Sequence, residues 1–230
     1  MKIIKTPKQT IWFDEYLLSD ASEQCFDHSY WRKKGRIIGS AQGRGTTWFI
    51  ALDEIDAALR HYHRGGLFGK VNRDSYFFTT WENTRSFQEY QLLHILIEAG
   101  VNVPKPIAAR AVKSCFGYRA DLLSQKIPNA RDLVSILQDR ALSKEEYQKV
   151  GAEIRKMHKA QVNHTDLNIH NILIDDEGKV WIIDFDKCNQ KSGDEWKQGN
   201  LERLKRSFIK EVAKRNIHWS ENDWDYLHLS

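Results

Sequence analysis

His164-Thr165-Asp166-Leu167-Asn168-Ile169-His170-Asn171-Ile172-Leu173-Ile174, a turn at Asp176-Glu177-Gly178, and then Val180-Trp181-Ile182-Ile183-Asp184-Phe185-Asp186 make up the stretch from which the fold is read. Apolar runs on either side of a glycine-bearing turn predict a β-hairpin. The polar residues before Ile172 and after Ile183 then emerge at neighbouring ends of adjacent strands, so Asp166, Asn171 and Asp184 are expected to converge. Phosphoryl transfer needs such a grouping: one carboxylate to accept or orient a hydroxyl, and an amide oxygen with a second carboxylate to hold Mg2+ on phosphates. Asp and Asn also favour ordinary turns, so either half alone fits a capped turn. Both halves in this order, with a hairpin between them, favour the catalytic reading.

The two halves resemble the catalytic loop H-R-D-L-x-x-x-N and the metal-binding D-F-G of the protein-kinase-like fold. Here the first reads H-T-D-L-N-I-H-N: His164, Asp166, Leu167 and Asn171 match, and Thr165 replaces the arginine. That arginine often grips a phosphorylated activation loop in protein kinases, so its replacement argues against that mode of regulation. The second half reads Asp184-Phe185-Asp186, with aspartate for the glycine, which implies a loop less free to reorganise.

Upstream, Arg36-Ile37-Ile38, a glycine-rich turn from Gly39 to Gly45, and the runs 46–52 and 57–62 predict three antiparallel strands in meander order. A helix is predicted over 85–99 from Phe87, Tyr90, Leu93 or His94, and Ile97, with Gly100 as its stop. Strands over 107–112 and 118–123 follow. Helices are predicted over 131–138, 143–159 and 200–216, with Tyr147, Val150, Ile154 and Met157 facing inward from the second. Strands first and helices second predict an α+β protein with the two-lobed kinase-like architecture. Its parts are an N-terminal extension at 1–35, a small antiparallel-sheet N-lobe at 36–123, and a compact, mainly helical C-lobe at 124–230.

By the same resemblance, Gly43-Arg44-Gly45 stands where a kinase covers the nucleotide phosphates, although a third glycine is absent. Ala57-Ala58-Leu59-Arg60 stands where V-A-I-K would, with Arg60 in the lysine's place. Arginine keeps the charge but grips phosphate with a bulkier fork, and Lys70 is an alternative cation. Glu89, on the following helix, is placed to pair with that cation; Ser86-x-x-Glu89 also fits a capping box.

Composition bounds the rest. With 230 residues, 41% hydrophobic and 29% charged, the chain has ordinary globular composition, which excludes a disordered or collagen-like chain. The best apolar run, 92–101, is interrupted by His94 and Glu98, too short to cross a membrane. Lys8, Asp14 and Glu15 deny the N-terminus a signal-peptide core, so a cytoplasmic protein is expected. Cys25, Cys115 and Cys188 are far apart and fit free thiols.

Net charge is +4, and basic residues interleave with aromatics at 31–36 and 60–64, which suits phosphate-bearing or acidic partners. No recognised nucleic-acid-binding pattern accompanies them, so no nucleic acid is expected as a partner. Along 200–216, Leu201, Leu204, Phe208 and Val212 share one face and Arg203, Arg206, Lys210 and Lys214 another. Such a helix lies on an anionic membrane surface or packs on its own core, and Trp196, Trp219, Trp224 and Tyr226 beside it fit either.

Four blocks in order are similar to the 3-deoxy-D-manno-octulosonic acid (Kdo) kinases of lipopolysaccharide synthesis: 60–67, 118–122, 166–173 and 181–186. The resemblance implies transfer of the γ-phosphate of ATP, with Mg2+, to the 4-hydroxyl of a Kdo sugar on a lipid A precursor. It further implies a peripheral protein at the cytoplasmic face of a Gram-negative inner membrane, with no obligate protein partner. Asp166 would be catalytic, Asn171 and Asp184 would hold metal, and Gly43, Arg44, Gly45, Arg60 and Glu89 would serve ATP. The acceptor's carboxylate and phosphates would meet His61, His63, Arg64, Lys70 and Arg73 beside Arg60. Only 46 residues follow Asp184, short for a peptide-binding platform, so a small or lipid-linked acceptor is expected. Kinases of a core heptose, an aminoglycoside or another small alcohol, and a nucleotide-binding scaffold, are the rival readings.

Overall fold

The computed structural model describes residues 1–18, 22–43, 45–63, 74–115 and 117–228. Arg44, Arg64, Lys70 and Arg73 lie outside the described residues. The chain divides into two units, Met1–Gln91 with Lys105–Lys126, and Leu92–Pro104 with Ile127–Ser230.

In the first unit the described strands are β1 (Lys2–Lys5), β2 (Gln9–Phe13), β3 (Ile37–Gln42), β4 (Thr46–Ala51), β5 (Asp56–His61), β6 (Pro106–Ser114) and β7 (Gly117–Gln125). They form one antiparallel sheet in the order β1-β2-β6-β7-β5-β4-β3. The meander β3–β4–β5 and the pair β6–β7 are those expected from the alternating apolar runs. The expected turn at 39–45 is shorter, because β3 continues to Gln42 through a register shift beside Gly39.

Of residues 1–35, expected as an extension wrapping the fold, the described ones supply two strands of this sheet and a covering layer. Gln9–Phe13 is buried along nearly its whole length, so it shows no alternation of apolar with polar residues to announce a strand. Lys2 and Lys5 bracket the exposed edge strand β1, where charge discourages pairing with another chain. A short 3-10 turn, Glu23–Phe26, and α1 (His28–Lys33) bring Leu18, Cys25, Phe26 and Trp31 into one apolar cluster with Ile50, Ala57, Leu59, Ile107 and Leu123. The Trp31 indole N–H donates to the Cys25 carbonyl at 2.8 Å, which satisfies the buried ring nitrogen. Alternation along β5 therefore puts Ala57, Leu59 and His61 on the covered face and Ala58 and Arg60 on the other.

Helix α2 (Arg85–Glu98) starts and stops as its sequence predicts, but Leu96 is fully buried while Ile97 is 38% exposed. The inward stripe is Ser86, Glu89, Tyr90, Leu93 and Leu96, so a carboxylate sits among the apolar positions.

The second unit carries β8 (Arg131–Asp132), α3 (Leu133–Asp139), α4 (Lys144–Lys159), β9 (Val162–Asn163), β10 (Ile172–Ile174), β11 (Val180–Ile182), β12 (Asn189–Gln190), α5 (Glu195–Arg215) and α6 (Asp223–His228). The expected hairpin is β10 paired with β11. Ser143 and Glu146 close a reciprocal capping box at the start of α4, and Tyr147, Val150, Ile154 and Met157 are buried as its periodicity predicts. Gly151 allows close approach of α6: a Cβ there would lie 2.2 Å from the Leu227 carbonyl oxygen.

On α5, Leu204 and Phe208 are fully buried, with the Trp219 ring stacked on Phe208 at 5.2 Å and Trp224 edge-on at 6.4 Å. The apolar stripe of α5 is thus spent on its own core, and the alternative of a stripe laid into a membrane loses its apolar face. Among the described residues no helix is long and apolar enough to cross a membrane. All three cysteines are free, Cys25 and Cys188 buried and Cys115 exposed.

Candidate active site

In the second unit the loop before β10 is organised by short-range hydrogen bonds that fix the main chain of Asp166. Its N–H donates to His164 Nδ1 at 3.3 Å, and its carbonyl accepts from Asn168 Nδ2 at 2.8 Å and Asn171 Nδ2 at 2.9 Å. The Asp166 residue itself is exposed, so a carboxylate facing solvent stands on an immobilised backbone. Leu167 and Ile169 are fully buried and anchor the loop from below.

The same histidine joins this loop to the segment after β11 that carries Asp184. His164 is fully buried, its Nε2 lies 3.1 Å from the Ile183 carbonyl, and its ring packs on Phe185 with centroids 4.8 Å apart. Burial holds its imidazole below the usual histidine range, against the opposing hydrogen bond of Ile183, so it is neutral. The Ile183 N–H donates to the Asn171 carbonyl at 2.9 Å, so the residue before Asp184 is tied to Asn171 itself. Asp184 has φ +63°, a left-handed conformation uncommon outside glycine, and the bonds on either side of Ile183 hold it there. Hydrogen bonds thus tie the Asp166 main chain to Asn171, and Asn171 to Ile183, the residue before Asp184. Asn171 Nδ2 donates to the Asp166 carbonyl, which leaves its amide oxygen, a hard ligand atom of the kind Mg2+ selects, for other partners.

Sequence reading missed His170 in this loop. Its Nδ1 lies 3.3 Å from Asp132, which caps α3, and its Nε2 lies 3.4 Å from the buried carboxylate of Glu211 on α5. Those partners stand 38 and 41 residues away, so no local pattern announces them.

In the first unit, Arg60 Nη2 lies 2.5 Å from both oxygens of Glu89, whose side chain is 4% exposed. The Tyr62 hydroxyl donates to the same carboxylate at 2.5 Å. Of the two readings of Glu89, the ion pair is the one formed; the Ser86 hydroxyl donates instead to the Arg110 carbonyl at 2.9 Å. The tip of the β3–β4 hairpin is tight: the Gly43 N–H donates to the Gly45 carbonyl, and a Cβ on Gly45 would lie 2.2 Å from the His63 ring.

The lipopolysaccharide kinase (Kdo/WaaP) family model matches residues 28–229. The chain belongs to this family. Its members are phosphotransferases acting on alcohol groups, and the chain shares that class of activity. A Vibrio cholerae protein named 3-deoxy-D-manno-octulosonic acid kinase is 65% identical over 93% of this chain and 91% of its own length. A Haemophilus influenzae protein of the same name is 52% identical over 89% of this chain and 88% of its own. A solved structure described as WaaP in complex with acyl carrier protein shares the fold with a TM-score of 0.61 at 15% identity, covering 95% of this chain and 88% of that one.

For this member of the Kdo/WaaP family, the expected acceptor cluster is divided by the sheet. Arg60 meets Glu89, whereas His61 and His63 line a cavity of about 500 Å³ with Phe26, Trp48, Arg110 and Asp121 on the face covered by α1. His61 sits in a chain of charge there: its Nδ1 lies 2.7 Å from Asp121, which also binds Arg110, and its Nε2 lies 3.4 Å from Asp74, which also binds Arg119. The hydrogen bond to Asp121 raises the His61 pKa above its ordinary 6.5, against the opposing effect of burial.

A raised value in the folded state stabilises the fold fully below the unfolded pKa, and this contribution is lost as pH rises through the folded one. An NMR titration should give His61 a midpoint above 6.5, lowered in Asp121→Asn, and a loss of stability as pH is raised past that midpoint. A midpoint at or below 6.5 would contradict the charge chain as the cause.

Proposed function

We propose that this protein transfers the γ-phosphate of ATP to the 4-hydroxyl of a Kdo sugar on a lipid A precursor. The observation that carries the acceptor is identity of 52 to 65% to proteins named Kdo kinases, over about nine-tenths of the chain. Asp166 accepts or orients the proton of the sugar hydroxyl. Asn171 and Asp184 hold Mg2+, which neutralises phosphate charge when bound. Among the described residues no three His, Cys, Asp or Glu side chains form a metal cage, so phosphate and water oxygens would complete the coordination. Arg60, braced by Glu89, grips the phosphates of ATP, and the hairpin tip at Gly43, Arg44 and Gly45 covers them.

A lipid-linked acceptor brings the enzyme to an anionic surface at the cytoplasmic face of the inner membrane. The exposed cations Arg206, Lys210 and Lys214 along α5 support attraction by charge, since the apolar face of that helix is buried. Arg64, Lys70 and Arg73 supply the positive charge for the acceptor's carboxylate and phosphates in this reading, since His61 and His63 turn to the face of the sheet opposite Arg60.

The test is phosphate transfer from ATP and Mg2+ to a lipid A precursor bearing one Kdo, read by mass spectrometry beside the Kdo-free precursor. One phosphate added only to the Kdo-bearing lipid is the expected result. Addition to both lipids, or to a core heptose or aminoglycoside instead, would refute the acceptor, and position-resolved fragmentation would report the hydroxyl.

A further inference from the structure

We propose that Tyr62 is a positioning residue for nucleotide binding, part of an Arg60–Tyr62–Glu89 triad built for arginine; the proposal rests on the reading of the protein as an ATP-using kinase. Arg60 and Tyr62 stand two residues apart, on the side of β5 that faces α2, so both reach Glu89. A carboxylate that is 4% exposed is costly to bury on one partner, and the phenol supplies a second donor that fixes its orientation.

Tyr62 is itself 3% exposed, and its N–H donates to the Ala120 carbonyl at 3.0 Å, which pins the chain just beyond β5 to the neighbouring strand. Its ring carries charge as well: the guanidinium carbons of Arg60 and Arg85 lie 5.0 and 5.7 Å from the ring centroid, and Arg85 also lies 4.7 Å from the Tyr76 ring. A planar, weakly hydrated guanidinium can span from the carboxylate to an aromatic face, whereas an ammonium is a compact, strongly hydrated point charge. The phenol therefore holds the carboxylate by its hydroxyl and the guanidinium by its face, and the departure from the usual lysine is matched by a local environment.

Two substitutions test this by calorimetric titration of Mg2+ and ATP into the full chain, with the melting temperature of each variant measured alongside. Tyr62→Phe keeps the ring and removes the hydroxyl; it should weaken ATP binding about tenfold, the scale of losing one hydrogen bond to a charged group. Arg60→Lys, although it restores the commoner kinase residue, should weaken binding by a similar factor. Folded variants that bind ATP as tightly as the unmodified protein would overturn the proposal, including a Tyr62→Phe protein with a lowered melting temperature and unchanged affinity. Failure of the unmodified protein to bind ATP would overturn the kinase reading itself, and the triad's role with it.

Discussion

Asp166→Asn is expected to lower the rate of phosphoryl transfer on the order of 100-fold or more, while ATP binding stays within about threefold of normal. Asparagine has the shape of aspartate and lacks only its charge and basicity. The main chain at this position is held by His164, Asn168 and Asn171, so the substitution leaves the loop standing. Loss of rate without loss of ATP affinity is the signature of a group that acts on the acceptor hydroxyl. Single-turnover transfer measured beside calorimetric ATP binding separates the two quantities. A rate within a few-fold of normal would place proton transfer or alignment elsewhere in the protein.

Asp184→Asn is expected to reduce transfer by a comparable factor and to raise the Mg2+ concentration needed for half-maximal activity. The anionic ligand becomes a neutral amide, and Mg2+ favours charged hard oxygens. The choice of asparagine matters because position 184 has φ +63°, a conformation asparagine tolerates far better than alanine. Asp184→Ala would mix backbone strain with loss of the ligand. A Mg2+ dependence unchanged from the unmodified protein would remove Asp184 from the metal site. Because Phe185 and the His164 contact to Ile183 are untouched, the melting temperature should fall by only a few degrees.

The candidate loop is legible in the sequence because its hydrogen bonds are short-range. Asp166, Asn168 and Asn171 lie within one loop and satisfy one another over two to five positions, so the pattern of polar residues reports their proximity directly. Hairpin signals then bring Asp184 alongside, because a tight turn joins the runs that end at Asn171 and Ile183. The Arg60–Glu89 pair spans 29 positions and is legible in the sequence only through family resemblance, with a capping box as its local competitor. The structure forms the ion pair, because Glu89 sits in the buried stripe of α2 and needs a cation there.

Other features had no local signal. Residues 1–35 join the sheet and cover it because an exposed apolar face on β5 and β6 needs burial, a requirement visible only once the sheet exists. His61 and Arg60 are neighbours in sequence and read there as one basic cluster, yet strand alternation turns them to opposite faces. The two positions 96 and 97 exchange roles for a related reason: the helical period admits either, and packing selects Leu96.

By itself the sequence determined the α+β class, the hairpin, the loop of Asp166 and Asn171, and membership of a kinase family, since each depends on residues close along the chain or on their order. Tertiary structure alone decided that Tyr62 shares Glu89 with Arg60, that His170 ties its loop to Asp132 and Glu211, and that the stripe of α5 faces inward. Those contacts join segments tens of residues apart, and their partners are chosen by the burial of charge and apolar surface in the assembled fold, which no stretch of sequence carries alone.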